Sequence, residues 1–381
     1  METKRLRAGQ YVHQLTGYRA FQPAPLPPVP PITLDLPMQR ALSEANIALG
    51  RLDGSIQTLP SADLFVYMYV RKEAVLSSQI EGTQSSLQDL LVAEAHMNAD
   101  VPKDVDEVVN YVAAMNYGLE RLATLPISVR LLRELHGILM RGGRGSNMTP
   151  GEIRTSQNWI GPAGAPLALA TFVPPSPTDL TAALSNLEHF LHVEDDLPYL
   201  VKVGLAHAQF ETIHPFLDGN GRIGRLLITF LLCQAEILAK PVLYLSWYLK
   251  RHRSEYYERL QAIRDDGAWE AWLMFFFRGI AESSIEASRT SQAILSLRDE
   301  HIRLIARNLG SSAAHGLIVL EHLYQQPIVS AESIQDICGI SGATANRLAQ
   351  KLAAIGILVE ITGNTRNRRF QYDGYVRLFT D

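Results

Sequence analysis

The chain is poor in cysteine, with only Cys233 and Cys338 in 381 residues. Two thiols so far apart supply neither a disulfide framework nor a zinc set, and a reducing, cytoplasmic setting is expected. Long apolar runs are missing as well. Hydrophobic residues make up 47% of the chain, yet no stretch reaches the ~20 apolar residues of a transmembrane helix, so no membrane association is expected. The opening METKRLRAGQ has no apolar h-region, which argues against a secretory signal. Net charge is −4 and gives no general attraction to nucleic acid or membrane. No GxxxxGK(S/T) occurs, which removes the P-loop.

Against these absences, HPFLDGNGRIGR, His214 to Arg225, concentrates functional groups in one short stretch. Upstream, YLVKVGLAHAQFETI reads as a mostly apolar helix that Pro215 stops just after His214. Downstream, RIGRLLITFLLCQAEI has apolar residues at helical spacing, and a largely buried helix is expected to start near Asn220 or Gly221. The loop therefore ends in a helix N-terminus, where unpaired N–H groups and the dipole favour an anion. Gly219 and Gly221 allow positive φ, so successive amides can turn inward. Arg222 and Arg225, three apart, share one face of the first turn. Two cations there oppose the dipole, a cost that a bound polyphosphate would offset. Asp218 is a hard carboxylate placed to hold Mg2+ against phosphate oxygens. His214, four residues earlier, is close enough to take a proton from an attacking hydroxyl.

Other readings of these letters are weaker. Gly219, Gly221 and Gly224 match GxGxxG, but that fingerprint must follow a strand and here a helix precedes it. Glu211 and His214 form one E-x-x-H pair, where a di-iron bundle needs two. His207, on the same helix face as His214, reads as a packed or hydrogen-bonded structural histidine. The plainest alternative is a glycine-rich turn between helices with solvated arginines.

HPFLDGNGRIGR resembles the Fic-family signature HPFx(D/E)GNGRxxR and matches every fixed position. The resemblance implies a mostly helical core that transfers AMP from ATP, with Mg2+, onto a Ser, Thr or Tyr hydroxyl of a target protein, the chain itself included. It implies His214 as general base, Phe216 as the loop's anchor in the core, and Asp218 as the metal ligand. Gly219, Asn220 and Gly221 would cradle the phosphates, with Gly224 counted in the same nucleotide site, and Arg222 and Arg225 would hold the β- and γ-phosphates. A second segment, SSQIEG from Ser77 to Gly82, resembles the family's inhibitory motif (S/T)xxxE(G/N). Its helix is plausible unaided: ADLFVYMYVRKEAVLSSQI is apolar-rich, Gly82 suits a C-terminal cap, and Ser77 and Glu81 share a face. By resemblance Glu81 pairs with Arg225 and keeps the γ-phosphate from its place, two anions competing for one guanidinium. Residues 151–177 read as strand, Gly/Pro-interrupted turn and strand, and correspond to the family's flap, which registers a target by strand addition. Tyr256 or Tyr257 is the candidate for the adenine wall, while Trp269 and Trp272 are assigned to packing.

The organisation expected is a mostly α protein. Residues 1–125 form an N-terminal region, opening with an extended proline-rich segment and then helical with the inhibitory motif. Residues 126–285 form the Fic core with a small β-hairpin flap, and 286–381 a linker helix and winged helix. The tail supports its reading through capping residues Ser341 and Gly356 and a hairpin around GNTRN. Winged helices often read DNA, but residues 311–381 hold six Lys/Arg and six Asp/Glu, without the basic face of a DNA reader. A protein-contact or dimerisation role is favoured there over DNA. The rival functional reading is a DNA-binding regulator or toxin–antitoxin component, or a Fic enzyme that transfers another nucleotide or phosphate group.

Overall fold

The computed structural model describes residues 7–380 apart from 16, 58–61, 98–100, 143–144, 146 and 163. The chain is mostly helical, as its periodicity requires. Its centre is α7 (Tyr199–Ile213), in which every residue from Leu200 to Ile213 is buried. With no solvent face, the helix is covered on all sides, and its polar residues Lys202, His207, Gln209, Glu211 and Thr212 are buried with the apolar ones. Its antiparallel neighbour is α8 (Asn220–Gln234), joined to it by the six residues 214–219. The two approach closely at Gly224, where a Cβ would stand 2.4 Å from Glu211 Oε1 and 3.2 Å from the Phe210 ring. Only glycine permits that approach.

Around this pair lie α1 (Leu36–Gln57), α2 (Ala62–Ile80), α3 (Leu87–Glu94), α4 (Val105–Arg121), α5 (Val129–Leu139) and α6 (Leu180–His192). After α8 come α9 (Ser246–Arg251), α10 (Arg253–Asp266) and α11 (Trp269–Asn308). Helix α11 is 40 residues long and packs along α1. Trp269 and Trp272 are core residues, the latter donating from Nε1 to Gly204 O at 2.9 Å. The expected boundary at 285/286 falls inside this one unbroken helix, because nothing there breaks it: IEASRT contains neither Gly nor Pro.

Residues 24–35, with most of the proline-rich stretch, carry no helix or strand, and a short hairpin precedes them. β1 (Gly9–His13) and β2 (Arg19–Pro23) pair antiparallel, and Phe21 is fully buried with its N–H on Val173 O at 2.9 Å. Tertiary burial of one aromatic ring fixes a hairpin whose strands are each only five residues long. Residues 151–177 also depart from expectation. In place of two strands there is a single antiparallel bridge, Ile160 to Phe172. Gly161, Pro162, Gly164, Pro166, Pro174 and Pro175 deprive the ladder of donors and of extended backbone on both sides.

The C-terminal part runs α12 (Ala313–His322), β3 (Ile328–Ser330), α13 (Ala331–Cys338), α14 (Gly342–Ala354), β4 (Val359–Glu360), β5 (Arg369–Gln371) and α15 (Asp373–Arg377). Its three strands form an antiparallel sheet in the order β3-β5-β4. Ser330 caps α13 and Ser341 caps α14, each accepting from the N–H three residues on. Both free cysteines are partly buried. No described helix is long and apolar enough to cross a membrane.

Candidate functional site

His214 ends α7 in the left-handed region, φ 49° and ψ 60°, an uncommon conformation for a residue with a Cβ. The strain is held by hydrogen bonds from a distant segment. Arg154 donates from Nε to His214 O at 2.9 Å and from Nη2 to Pro175 O at 2.6 Å, and its N–H reaches Pro215 O at 3.0 Å. Asn158 Nδ2 donates to Phe216 O at 2.8 Å. Asn220 closes the loop from the other side, accepting from Phe216 N–H and donating to Phe216 O, both at 2.8 Å. The side chain of Asn220 thus staples the turn, leaving its backbone amide for any ligand. Phe216 is the expected anchor: it is fully buried and stacks on His136 with ring centres 3.8 Å apart. His136 accepts from Gly151 N–H at Nδ1, so Nε2 carries the proton it donates to Asp218 O at 3.0 Å.

Arg154, Asn158, His136 and Glu107 were not singled out in the sequence. Each acts across 56 or more residues of chain, and no local spacing carries that signal.

The arginines point inward. Arg222 is buried and pairs with Glu107 Oε2 of α4 at 3.0 Å. Arg225, also buried, sends Nε to Ser77 Oγ at 2.8 Å and Nη2 to Ser77 O at 3.0 Å and Glu81 Oε1 at 2.7 Å. Ser77 and Glu81 therefore grip the same guanidinium, as their four-residue spacing on α2 allows. Gly82 follows at φ 96°, terminating the helix as a left-handed cap. A Cβ on Gly221 would lie 2.2 Å from Glu81 Oε1, so the carboxylate rests directly on the first turn of α8. It occupies the spot where the helix N-terminus and Arg225 would both attract an anion.

The imidazole of His214 is neutral. Burial, then the positive charges of Arg264 and Arg154, pull its pKa down to about 3, and Nδ1 is buried with no partner among the described residues. Glu211 Oε1 and Arg222 Nε are likewise buried and unpartnered. Native interiors leave few polar atoms so, and these three belong to residues on or beside the 214–219 turn. Asp218 accepts from Gly219 N–H at 2.6 Å through Oδ1 and is over a third exposed, which leaves Oδ2 open. Among the described residues no group of three or more His, Cys, Asp or Glu is gathered for a metal. One open carboxylate suits a cation held mainly by phosphates and water.

His207 is the structural histidine expected. Its Nδ1 donates to Gly224 O and its Nε2 accepts from the Tyr256 hydroxyl, both at 2.9 Å. Tyr256 is fully buried, whereas Tyr257 shows 39% of its surface.

Fold and site together define a mostly helical protein with a glycine loop at a helix N-terminus, a neutral histidine at its rim, and a neighbouring carboxylate seated on its second arginine. Residues 39–120 match the Fic/DOC family N-terminal region and residues 126–232 match the Fic/DOC family domain. It is similar to the protein adenylyltransferase Fic of Drosophila grimshawi, 32% identical over 228 residues, which are 58% of this chain and 41% of that protein. The corresponding protein of Drosophila virilis is 31% identical over 236 residues, 60% of this chain and 44% of that one. The chain thus spans less than half the length of these curated relatives. A Fic family protein from Desulfovibrio desulfuricans G20 shares the fold, with a TM-score of 0.58 at 18% identity, over 90% of this chain and 97% of that one. A Fic domain containing signaling protein from Bacteroides thetaiotaomicron does so with a TM-score of 0.52 at 18% identity, over 66% of this chain and 95% of that one.

Proposed function

We propose that this chain is a protein adenylyltransferase, taking AMP from ATP to a Ser, Thr or Tyr hydroxyl of a target protein, and that Glu81 restrains it. One observation carries the reading: Glu81 meets Arg225 at 2.7 Å while lying against Gly221. A carboxylate in that position stands in for a phosphate of the substrate.

In this reading His214, uncharged at neutral pH, takes the proton as the target oxygen bonds to the α-phosphorus. The bond from phosphorus to pyrophosphate breaks, and the leaving charge meets the amides of Asn220 and Gly221, Arg222 and Arg225. Asp218 would hold Mg2+, which when bound neutralises phosphate charge. Tyr257 is the ring free to face adenine. The base of residues 151–177, clamped by Arg154 and Asn158, sets the height at which a target backbone is held. We read the C-terminal part as a winged helix, a contact module for protein rather than DNA, and the setting as cytoplasmic.

The test is mass spectrometry of the Glu81→Gly variant after incubation with Mg2+ and ATP. A gain equal to AMP, absent when His214→Ala is added, supports the proposal. A gain equal to phosphate, or none with any candidate protein, refutes it.

A further inference from the structure

A cavity of about 810 Å3 lies where the β4–β5 turn and α14 meet the chain beyond α3. Its walls carry Arg366, Arg368 and Arg369, with Asn346 from α14 and His96 from beyond α3. The opposing charge among the lining residues is a lone carboxylate, Glu332. Among the described residues none of the three guanidinium groups lies within ion-pair distance of a carboxylate, although the charge of Arg368 reaches Glu360 and helps to lower its pKa. Arg368 donates to Asn346 Oδ1 at 2.9 Å and lies over the Phe370 ring, while the side chains of Arg366 and Arg369 make no hydrogen bond. Three cations brought into one concavity repel each other, and an anion between them removes that cost. The volume falls in the range of small-ligand pockets, roughly 300–1,000 Å3.

We propose that this cavity is a second anion site, separate from the loop–helix junction, for a small phosphate-bearing ligand of nucleotide or pyrophosphate size. Guanidinium forks match phosphate oxygens, and Asn346 adds a neutral polar group. A nucleic-acid duplex fits less well. One wall, at His96, belongs to the N-terminal part, and residues 311–381 carry no net positive charge. A ligand here would join the C-terminal part to the chain just beyond α3, because it touches His96 and Met97 as well as the arginines.

The test is calorimetric titration of the full-length protein with inorganic pyrophosphate, comparing wild type with Arg366→Ala/Arg369→Ala and with Arg366→Lys/Arg369→Lys. Binding at the loop–helix junction is common to all three proteins and cancels in the comparison. The alanine pair should lose one site or weaken it at least about tenfold, and the lysine pair should keep part of it. Both positions are at the surface, and an unchanged melting temperature would show that the fold is retained. Identical isotherms for wild type and the alanine pair would overturn the proposal. So would a short DNA duplex binding through the same arginines more tightly than pyrophosphate.

Discussion

At the scale of the residue, Arg225 is a buried cation whose partners come from one helix. Ser77 supplies two acceptors and Glu81 supplies the charge. Removing Glu81 leaves the guanidinium buried with neutral partners, and stripping one member from a buried pair is costly. Glu81 is itself 29% exposed, so the loss is smaller than for a fully buried pair. The Glu81→Gly variant should therefore melt below wild type without ligand. Mg2+ and ATP should raise its melting temperature more than they raise that of wild type, since a phosphate restores the missing anion. Equal shifts, read by differential scanning fluorimetry, would show that ligand and Glu81 do not share Arg225. Gly221 makes the same point sterically: a Cβ there would collide with Glu81 Oε1 at 2.2 Å, so the carboxylate and the glycine are fitted to each other.

At the scale of the element, the loop 214–219 is shaped by two stretches of chain. Asn220 staples it locally, and Arg154 and Asn158 hold its carbonyls from the 151–177 segment. Lysine in place of Arg154 cannot span His214 O and Pro175 O together. Arg154→Lys should cost about 1–3 kcal/mol in urea unfolding, because a buried carbonyl loses its donor, and should lower AMP transfer with it. An unchanged midpoint would mean that the loop holds itself. These elements divide by how local their signals are. The ends of α7 and α8, the glycine turn, the Gly82 cap and the serine caps at 330 and 341 could be read directly, since each depends on neighbours a few residues away. The Arg154 clamp, the His136 stack beneath Phe216 and the Glu107 partner of Arg222 could not. Their partners lie 56–115 residues away in sequence. The N-terminal hairpin was missed for the same reason, and in the flap the prolines and glycines leave one bridge where two strands were expected.

At the scale of the whole molecule, helix α2 is built into both halves of the chain. Tyr69 of α2 donates to Ala287 O of α11 at 2.9 Å and meets the Phe379 ring edge-on. Arg71 of the same helix clamps Glu94 of α3 through two bonds of 2.7 and 2.8 Å. Buried titratable groups also give the fold a definite acid response. Burial lowers His136 and His207 to about 4, so between the ordinary value of 6.5 and about 4 the unfolded chain binds protons that the folded one refuses. Stability gained from these groups falls as pH drops through that window. Burial raises Glu73 and Glu211 to about 7 from 4.5, so there the folded chain binds the extra protons and gains stability as pH drops from about 7 to 4.5. His214, lowered to about 3, acts in the same sense as these two histidines, so three histidines oppose two carboxyls over the shared window. The melting temperature should fall gently from about pH 6.5 to 4.5 and more steeply below that, where the carboxyls no longer offset the loss. A decline as steep above pH 4.5 as below it would show that the two carboxyls are already ionised in the folded protein.

The central claim is that Glu81 and a nucleotide phosphate compete for one site on Arg225 and the first turn of α8. It is tested most directly by the initial rate of labelling with radioactive ATP, in wild type and Glu81→Gly side by side. The account predicts a rate at least about tenfold higher in the variant, equivalent to about 1.4 kcal/mol of restraint removed, and none in either background once His214 is alanine. Equal rates for wild type and Glu81→Gly would contradict it.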